Sequence, residues 1–445
     1  MINLPIPRIE GYDVVEKIGS GSFSVVFKAN TKTTPRTVVA VKCIHKRYQK
    51  KTFADNVVRE ITMLKELNHN YIVKLIDFVT DINYICIITE YCDVGDLAYF
   101  IKSKQRLSET MVKVFMQQLM FALKFLQGYD ICHLDLKPQN LLLCSKPFLT
   151  LKIADFGSSQ IISPQNVEQV RYVGSILYMA PEKLLCQEFD ARVDLWSVGM
   201  IMYECLFGRS PFISLNLKQI IEVMHKKAPI ELPSNVGITA ACKNLLEGLL
   251  KYQPEERITF NEFFTHDFLD LAHVPNSENY SFVFTLLADA VALDSKQQYS
   301  QSLPKYIEAI KFLENFQVIV TNPNSKAILY QRLQQYKMWV ATLTGIVNGH
   351  SATSALSLPY KDCFEILREI STNTPNLTTG LDMGSIGELY YNDGNKQLAF
   401  DNLSSALSLL LPALGREPPG TRKDLLHIQV QKWLTVAECL NQQLK

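Results

Sequence analysis

One run constrains this chain more than any other: His133-Leu134-Asp135-Leu136-Lys137-Pro138-Gln139-Asn140, with Asp155-Phe156-Gly157 fifteen residues after Asn140. An acid five residues before an amide, in a loop after an apolar helix, sets a hydroxyl acceptor beside a metal ligand. Asp155 offers a second oxygen to a hard cation such as Mg2+. Ala180-Pro181-Glu182 closes the stretch that follows. Each triplet alone is common by chance; all of them in this order are not.

The flanking patterns say what carries that loop. Val14–Ile18, Val25–Ala29, Thr37–Ile44 and Tyr84–Glu90 hold β-branched and aromatic residues between Gly, Pro, Asn and Asp, which predicts strands. Val57, Ile61, Leu64 and Leu67 recur at helical spacing and predict a helix over Phe53–Leu67. From Ser108 the pattern turns helical, and Val193–Gly208, apolar almost all round, predicts a buried helix. The expected class is α+β: a strand-rich small lobe, a helical large lobe, then all-α segments.

At 445 residues the chain is too long for one core, so two or three domains are expected. We place an N-terminal extension at 1–11, the two-lobed domain at 12–268 and a linker at 269–279, where Pro, Asn and Ser cluster. A first helical domain follows at 280–349, with Leu329, Leu333, Tyr336, Val340 and Leu343 on one stripe. A linker at 350–373 carries the Ser/Ala/Thr-rich Ser351–Ser357 and a short helix near Lys361–Ile370. A second helical domain covers 374–445, with Leu426, Val430, Trp433, Ala437 and Leu440 on a similar stripe. The two sets resemble each other weakly, as a duplicated three-helix unit would.

Composition narrows the classes further. A net charge of +1 argues against nucleic acid or anionic membrane as the main partner. Met1–Pro7 lacks the charged-then-apolar run of a secretory signal, and apolar stretches such as Val198–Phe207 are too short to span a bilayer. The ten cysteines form no C-x-x-C pair, so buried thiols in a reducing cytoplasm are expected.

Moving a phosphoryl group needs a cradle for the triphosphate, a held metal, an oriented hydroxyl, and fixed register between them. Gly19-Ser20-Gly21-Ser22-Phe23-Ser24-Val25 sits at a strand–turn–strand, where glycines let backbone N–H groups approach phosphate oxygens. An ordinary hairpin turn would read the same way. Val39-Ala40-Val41-Lys42 puts a lysine on a strand, and Glu60 on the next helix is its natural partner, whether for phosphate binding or for structure alone.

Taken together, 12–268 resembles a eukaryotic protein kinase throughout, including Asp194-Leu195-Trp196-Ser197-Val198-Gly199 and Arg257. The resemblance implies ATP and Mg2+ as cofactors. It implies that Asp135 receives the proton of the substrate hydroxyl, that Asn140 and Asp155 bind Mg2+, and that Lys42 with Glu60 holds the phosphates. Lys137 would touch the γ-phosphate and, with Ser175, marks the serine/threonine branch. Ile18, Gly19, Ser20, Gly21, Ser22, Phe23, Val26, Ala40, Lys42, Glu90 and Cys92 would surround the nucleotide, with Thr89 behind the adenine. Arg257 would pair with Glu182, and Asp194 would brace the catalytic loop. Lys42, Asp135, Asn140 and Asp155 are all present, so activity is expected.

Three residues depart from the pattern. Ser24 replaces the third glycine of the phosphate loop. Leu134 replaces the arginine that would dock an activation-loop phosphate, and Arg171 stands where related kinases carry a phosphorylated threonine. The segment between Asp155 and Glu182 is therefore expected to work without that phosphate switch, although Ser158, Ser159, Ser163 and Ser175 remain modifiable hydroxyls.

The tail fits three descriptions: a plain helical extension, a tetratricopeptide pair without its glycine/tryptophan signature, or tandem MIT domains. Asp289-Ala290 through Ala309-Ile310 and Tyr336 to Leu343 resemble a first MIT copy. Gly387-Glu388-Leu389-Tyr390-Tyr391 and Leu403 through Leu440 resemble a second. A kinase followed by two such units is similar to the Unc-51-like kinase family. That likeness implies ESCRT-III-type tail motifs as partners, with roles in autophagy, abscission or Hedgehog-type signalling. Glu438 keeps an acid that MIT domains use to receive a ligand arginine, whereas Ala341 does not; a solvated helix face explains Glu438 as well. A scaffold whose kinase fold only binds is the competing function.

Overall fold

In the computed structural model, described for residues 7–21, 24–46, 51–80, 83–146, 148–161, 175–347, 363–371, 374–418 and 421–444, the chain divides into two compact units. One comprises 1–145 with 149–272, the other 146–148 with 273–445. Ser22, Phe23, Ser163, Arg171, Gly174 and Ser351–Ser357 lie outside the described residues.

The first unit opens with β1 (Tyr12–Ser20), β2 (Ser24–Thr31), β3 (Val38–His45), α1 (Lys51–Glu66), β4 (Leu75–Thr80) and β5 (Tyr84–Glu90). The strands make an antiparallel sheet ordered β1-β2-β3-β5-β4. Successive side chains alternate faces along a strand. Val25, Phe27, Ala29, Val39, Val41 and Cys43 accordingly fill a core on one side, while Val26, Ala40 and Lys42 are left half-buried on the other. The sequence reading passed over β4, whose Asp77 breaks the apolar alternation and whose exposed Ile76 and Phe78 bury little.

The second lobe follows: β6 (Gly95–Asp96), α2 (Leu97–Lys104), α3 (Glu109–Gln127), β7 (Ile131–Cys132), β8 (Leu141–Cys144), β9 (Thr150–Ile153), β10 (Gln160–Ile161), α4 (Pro181–Leu184), α5 (Val193–Phe207), α6 (Leu217–Lys226), α7 (Ala240–Leu249) and α8 (Phe260–Phe264). Ser108 caps α3 by accepting from Met111 N–H, and Glu109 sits in its first turn. Thirteen of the fifteen α5 residues are buried, as its all-round apolar character requires. Gly208 ends α5 at φ 79°, where a Cβ would lie 1.9 Å from the Gln105 carbonyl oxygen, so only glycine fits.

The expected linker is not a bare one. Short helical turns occupy Asp267–Leu269 and Leu271–His273, and α9 (Ser277–Ser295) begins within it, capped by Asn276 on Asn279 N–H. Pro, Asn and Ser here form a helix start, a use of the same residues that composition does not separate from a linker. With α10 (Tyr299–Ile319) and α11 (Pro323–Val347), α9 makes the first helical set. Leu333 and Leu343 of the anticipated α11 stripe are buried, while Leu329, Tyr336 and Val340 are partly so.

Among the described residues the second set has four helices rather than three: α12 (Cys363–Ile370), α13 (Pro375–Asn392), α14 (Lys396–Arg416) and α15 (Thr421–Leu444). The short helix assigned to the linker packs on α15 and gives Leu367 to the core, and Phe364 meets Trp433 edge-on at 5.7 Å. Leu426, Val430, Trp433, Ala437 and Leu440 all enter that core. α14 is long and apolar enough to cross a membrane by length and composition, unlike the shorter runs weighed above; its Ala399, Leu403, Ala406, Leu407 and Leu410 are buried in the set. None of the nine described cysteines is in a disulfide, and two of them, Cys186 and Cys439, are exposed rather than buried.

Candidate active site

Lys42 reaches the half-buried face of the sheet directly across from Val26, with Ala40 two residues along on the same face and paired with Thr89. Its Nζ donates to Glu60 Oε1 and Oε2 at 2.8 and 2.9 Å and to Asp155 Oδ1 at 2.9 Å. Strand β3, helix α1 and the segment after β9 thus converge on one ammonium. Burial works against the charged lysine, but Glu60 and then Asp155 outweigh it and raise its pKa. In return Lys42, ahead of the opposing burial, holds Asp155 down to about 2. Asp155 sits at φ 64°, a left-handed conformation that costs an aspartate little and a bulky residue more. Phe156, fully buried, meets His133 edge-on at 5.1 Å and locks that backbone.

The catalytic-loop candidates lie between β7 and β8. Asp135 Oδ2 accepts from Lys137 Nζ at 2.6 Å and Asn140 Nδ2 at 3.1 Å, and Asp135 Oδ1 accepts from the Ser175 backbone N–H at 3.0 Å. Asn140 Nδ2 also donates to the Asp135 carbonyl at 2.8 Å, which commits the amide nitrogen and leaves Oδ1 as the acceptor. Ala154 N–H donates to Asn140 O, tying the loop to the segment that bears Asp155. Asp194, in the first turn of α5, accepts His133 N–H at 2.7 Å and Leu134 N–H at 2.9 Å on its two oxygens.

Asn140 and Asp155 are hard oxygen donors of the kind Mg2+ takes. Among the described residues no group of three or more His, Cys, Asp or Glu is assembled for a metal. A cation at this pair would therefore complete its shell with phosphate and water, the usual arrangement for Mg2+ on a nucleotide. The donor set fits.

The nucleotide-side candidates separate into two groups. Ile18, Gly19 and Ser20 end β1, with Gly19 opposite Val26, and Gly21 N–H donates to Ser24 O at the turn. Glu90 Oε1 is committed elsewhere, accepting from Lys74 N–H at 2.8 Å and pairing with Lys152 at 2.9 Å, and Glu90 N–H donates to the Lys74 carbonyl. Cys92 is buried with Val73 and Cys144.

Arg257 donates to both Glu182 oxygens at 2.7 and 3.0 Å, a buried bidentate pair completed by the carbonyls of Lys251 and Arg192. Ser159 is buried, with its hydroxyl on the His133 carbonyl, which withdraws it from modification; Ser158 and Ser175 are half-buried. Two contacts had no signal in the sequence: Ser175 N–H on Asp135, and Lys183 Nζ on the Leu134 carbonyl at 2.7 Å.

Comparison with known proteins agrees with this geometry. The protein kinase domain family matches residues 12–269. Serine/threonine-protein kinase ULK3 of Xenopus laevis is 39% identical over 99% of this chain and 93% of its own length, and the human ULK3 38% over the same shares. Serine/threonine-protein kinase ATG1b of Arabidopsis thaliana is 36% identical over 68% of this chain and 42% of its own length. With the two-lobed fold and the assembled loop, these likenesses establish that the chain is a serine/threonine protein kinase of the ULK family.

Proposed function

We propose that the chain transfers the γ-phosphate of Mg-ATP to serine and threonine hydroxyls of proteins through Lys42, Glu60, Asp135, Lys137, Asn140 and Asp155. The observation that carries this reading is the Lys42 ammonium held at once by Glu60 and Asp155. Phosphoryl transfer in kinases requires the lysine–glutamate pair and the metal-binding aspartate to be in place together. Mg2+ held by Asn140 and Asp155 would neutralise charge on the β- and γ-phosphates. Lys42 then binds α- and β-phosphate oxygens, and Lys137 lies 2.6 Å from Asp135, where it can bridge that acid and the γ-phosphate. Asp135 orients the substrate hydroxyl and receives its proton. Ile18, Gly19, Ser20, Gly21, Ser22 and Phe23 would cover the phosphates, while Val26, Ala40, Cys92 and the backbone at Glu90 would bound the adenine. Asp135→Asn should abolish transfer while leaving nucleotide binding within a few-fold; an active Asp135→Asn protein would refute the assignment.

The tail is read as two MIT-like units that deliver the kinase, in the cytoplasm, to ESCRT-III-type tail motifs, in autophagy, abscission or Hedgehog-type signalling. In support, each set contains three long helices, and Glu438 is exposed on α15 between the buried Ala437 and Leu440. Two weak linked sites give useful affinity together. Binding of synthetic ESCRT-III tail peptides, measured for wild type and Glu438→Ala, tests this; no binding by the wild type rejects it.

A further inference from the structure

Leu134 holds a backbone conformation that leucine does not choose. Its φ is 65°, in the left-handed region, where a Cβ crowds the following carbonyl oxygen. Such a conformation persists only when its surroundings over-determine it. Both backbone polar groups of Leu134 are in fact held from elsewhere in the chain. Its N–H donates to Asp194 Oδ1 at 2.9 Å, and its carbonyl accepts from Lys183 Nζ at 2.7 Å. That carbonyl belongs to the peptide whose N–H is that of Asp135, and the N–H donates to His133 Nδ1 at 3.3 Å. Rotation of this one peptide would swing Asp135 away from Lys137, Asn140 and Ser175.

Lys183 is an unusual group to find there. It lies on the four-residue α4 and is 7% exposed. It borders a cavity of about 10 Å3 shared with Leu134, Asp135, Ser175, Asp194 and Ser197. Burial lowers its pKa, while Asp194, Cys132 and Asp135 act in the opposite sense. The kinase motif has arginine at the position of Leu134, and this chain has no cation on that residue.

We propose that Lys183 is a positioning residue for phosphoryl transfer: its ammonium clamps the Leu134–Asp135 peptide and so aims the Asp135 carboxylate. α4 thus brings a cation to the main-chain carbonyl of a catalytic-loop residue that carries none itself. The proposal rests on the reading of Asp135 given above. It differs from a merely structural role in one respect: loss of the clamp should slow the chemical step without weakening nucleotide binding, because Lys42, Glu60 and Asp155 are left untouched.

The test uses the full-length protein with dephosphorylated casein as acceptor. It compares wild type, Lys183→Met, Lys183→Arg and Asp135→Asn by kcat, KM for ATP, ADP affinity and melting temperature. A misplacement of about 1 Å costs around 100-fold in rate, so Lys183→Met should lose roughly 10- to 100-fold in kcat. Its KM for ATP and ADP affinity should stay within about twofold, and Lys183→Arg should recover most of the loss. A Lys183→Met enzyme with wild-type kcat, or one whose ADP affinity falls in step with kcat, overturns the proposal. If Lys183→Met does not melt cooperatively, Lys183→Gln replaces it: kcat lowered and restored by arginine supports the cationic clamp, and kcat unchanged overturns it. An active Asp135→Asn protein removes the reading of Asp135 and this proposal with it. An inactive Asp135→Asn beside a fully active Lys183→Met removes only the role of Lys183.

Discussion

Lys42→Met is the perturbation for which the structure gives the sharpest consequence. The substitution keeps the side-chain volume and removes the one ammonium that Glu60 and Asp155 share. The two acids are not equally exposed: the Glu60 side chain is 6% accessible and that of Asp155 45%. Water can take over the solvation of Asp155, so its loss contributes little. Glu60 has no such recourse, and breaking a buried pair by removing one partner costs about 3–5 kcal/mol. At roughly 2–4 °C per kcal/mol for a unit of this size, the kinase unit should melt about 6–20 °C lower. The deficit should also depend on pH. Burial, ahead of the opposing Lys42, already raises the Glu60 pKa in the wild type, and without Lys42 it rises further above its unfolded value of about 4.3, so the folded variant holds more of a proton that the unfolded chain has released. Stability from that proton is present below the unfolded pKa and is lost as pH rises through the folded one. Asp155, held at about 2 by Lys42 in the wild type, contributes stability that is present above its unfolded pKa and lost only as pH falls towards 2, so in the wild type it stays ionised at both pH values. Melting curves of wild type and variant near pH 5 and about pH 7.5 should therefore show a smaller gap at the lower pH. A gap below about 1 kcal/mol, or one equal at the two pH values, would show that Glu60 is not left buried and charged by the substitution.

Further outcomes follow from other contacts. Arg257→Ala leaves the Glu182 carboxylate buried without its fork, at a cost of about 3–5 kcal/mol in the same melting assay; Arg257→Lys should recover only part of it, because the bidentate geometry is lost. Leu367→Ala should cost about 2–5 kcal/mol in denaturant unfolding of the tail if α12 belongs to the second set, and close to nothing if that helix is a linker. Phosphatase-treated protein should keep its transfer activity on casein, because Leu134 is buried and carries no group that binds phosphate; full dependence on an activation-loop phosphate would contradict this.

Much of the fold and of the candidate site was legible before any tertiary information. Strand alternation put Val26, Ala40 and Lys42 on one face because period two is a local property of extended backbone. The loop from His133 to Asn140 and the Asp155 triplet could be read because phosphoryl transfer restricts residue types at short, ordered spacings. β4 leaves no pattern because its faces bury too little, and the eight residues of α12 bear no mark of the core they join. The buried stripe of α15 was visible; that Leu367 and Phe364 complete its core was not.

The amino-acid sequence alone determined that this chain carries a two-lobed kinase domain with Lys42, Asp135, Asn140 and Asp155 in motif order, followed by helices. Tertiary structure decided which partners those residues take. Lys42 gained Asp155 across 113 residues, Arg257 met Glu182 across 75, and Lys183 reached the Leu134 carbonyl across 49. Periodicity and motif spacing report only on neighbours along the chain. The pairing of buried charges depends on how helices and strands close on one another, where each burial must be offset by a partner that folding alone brings near.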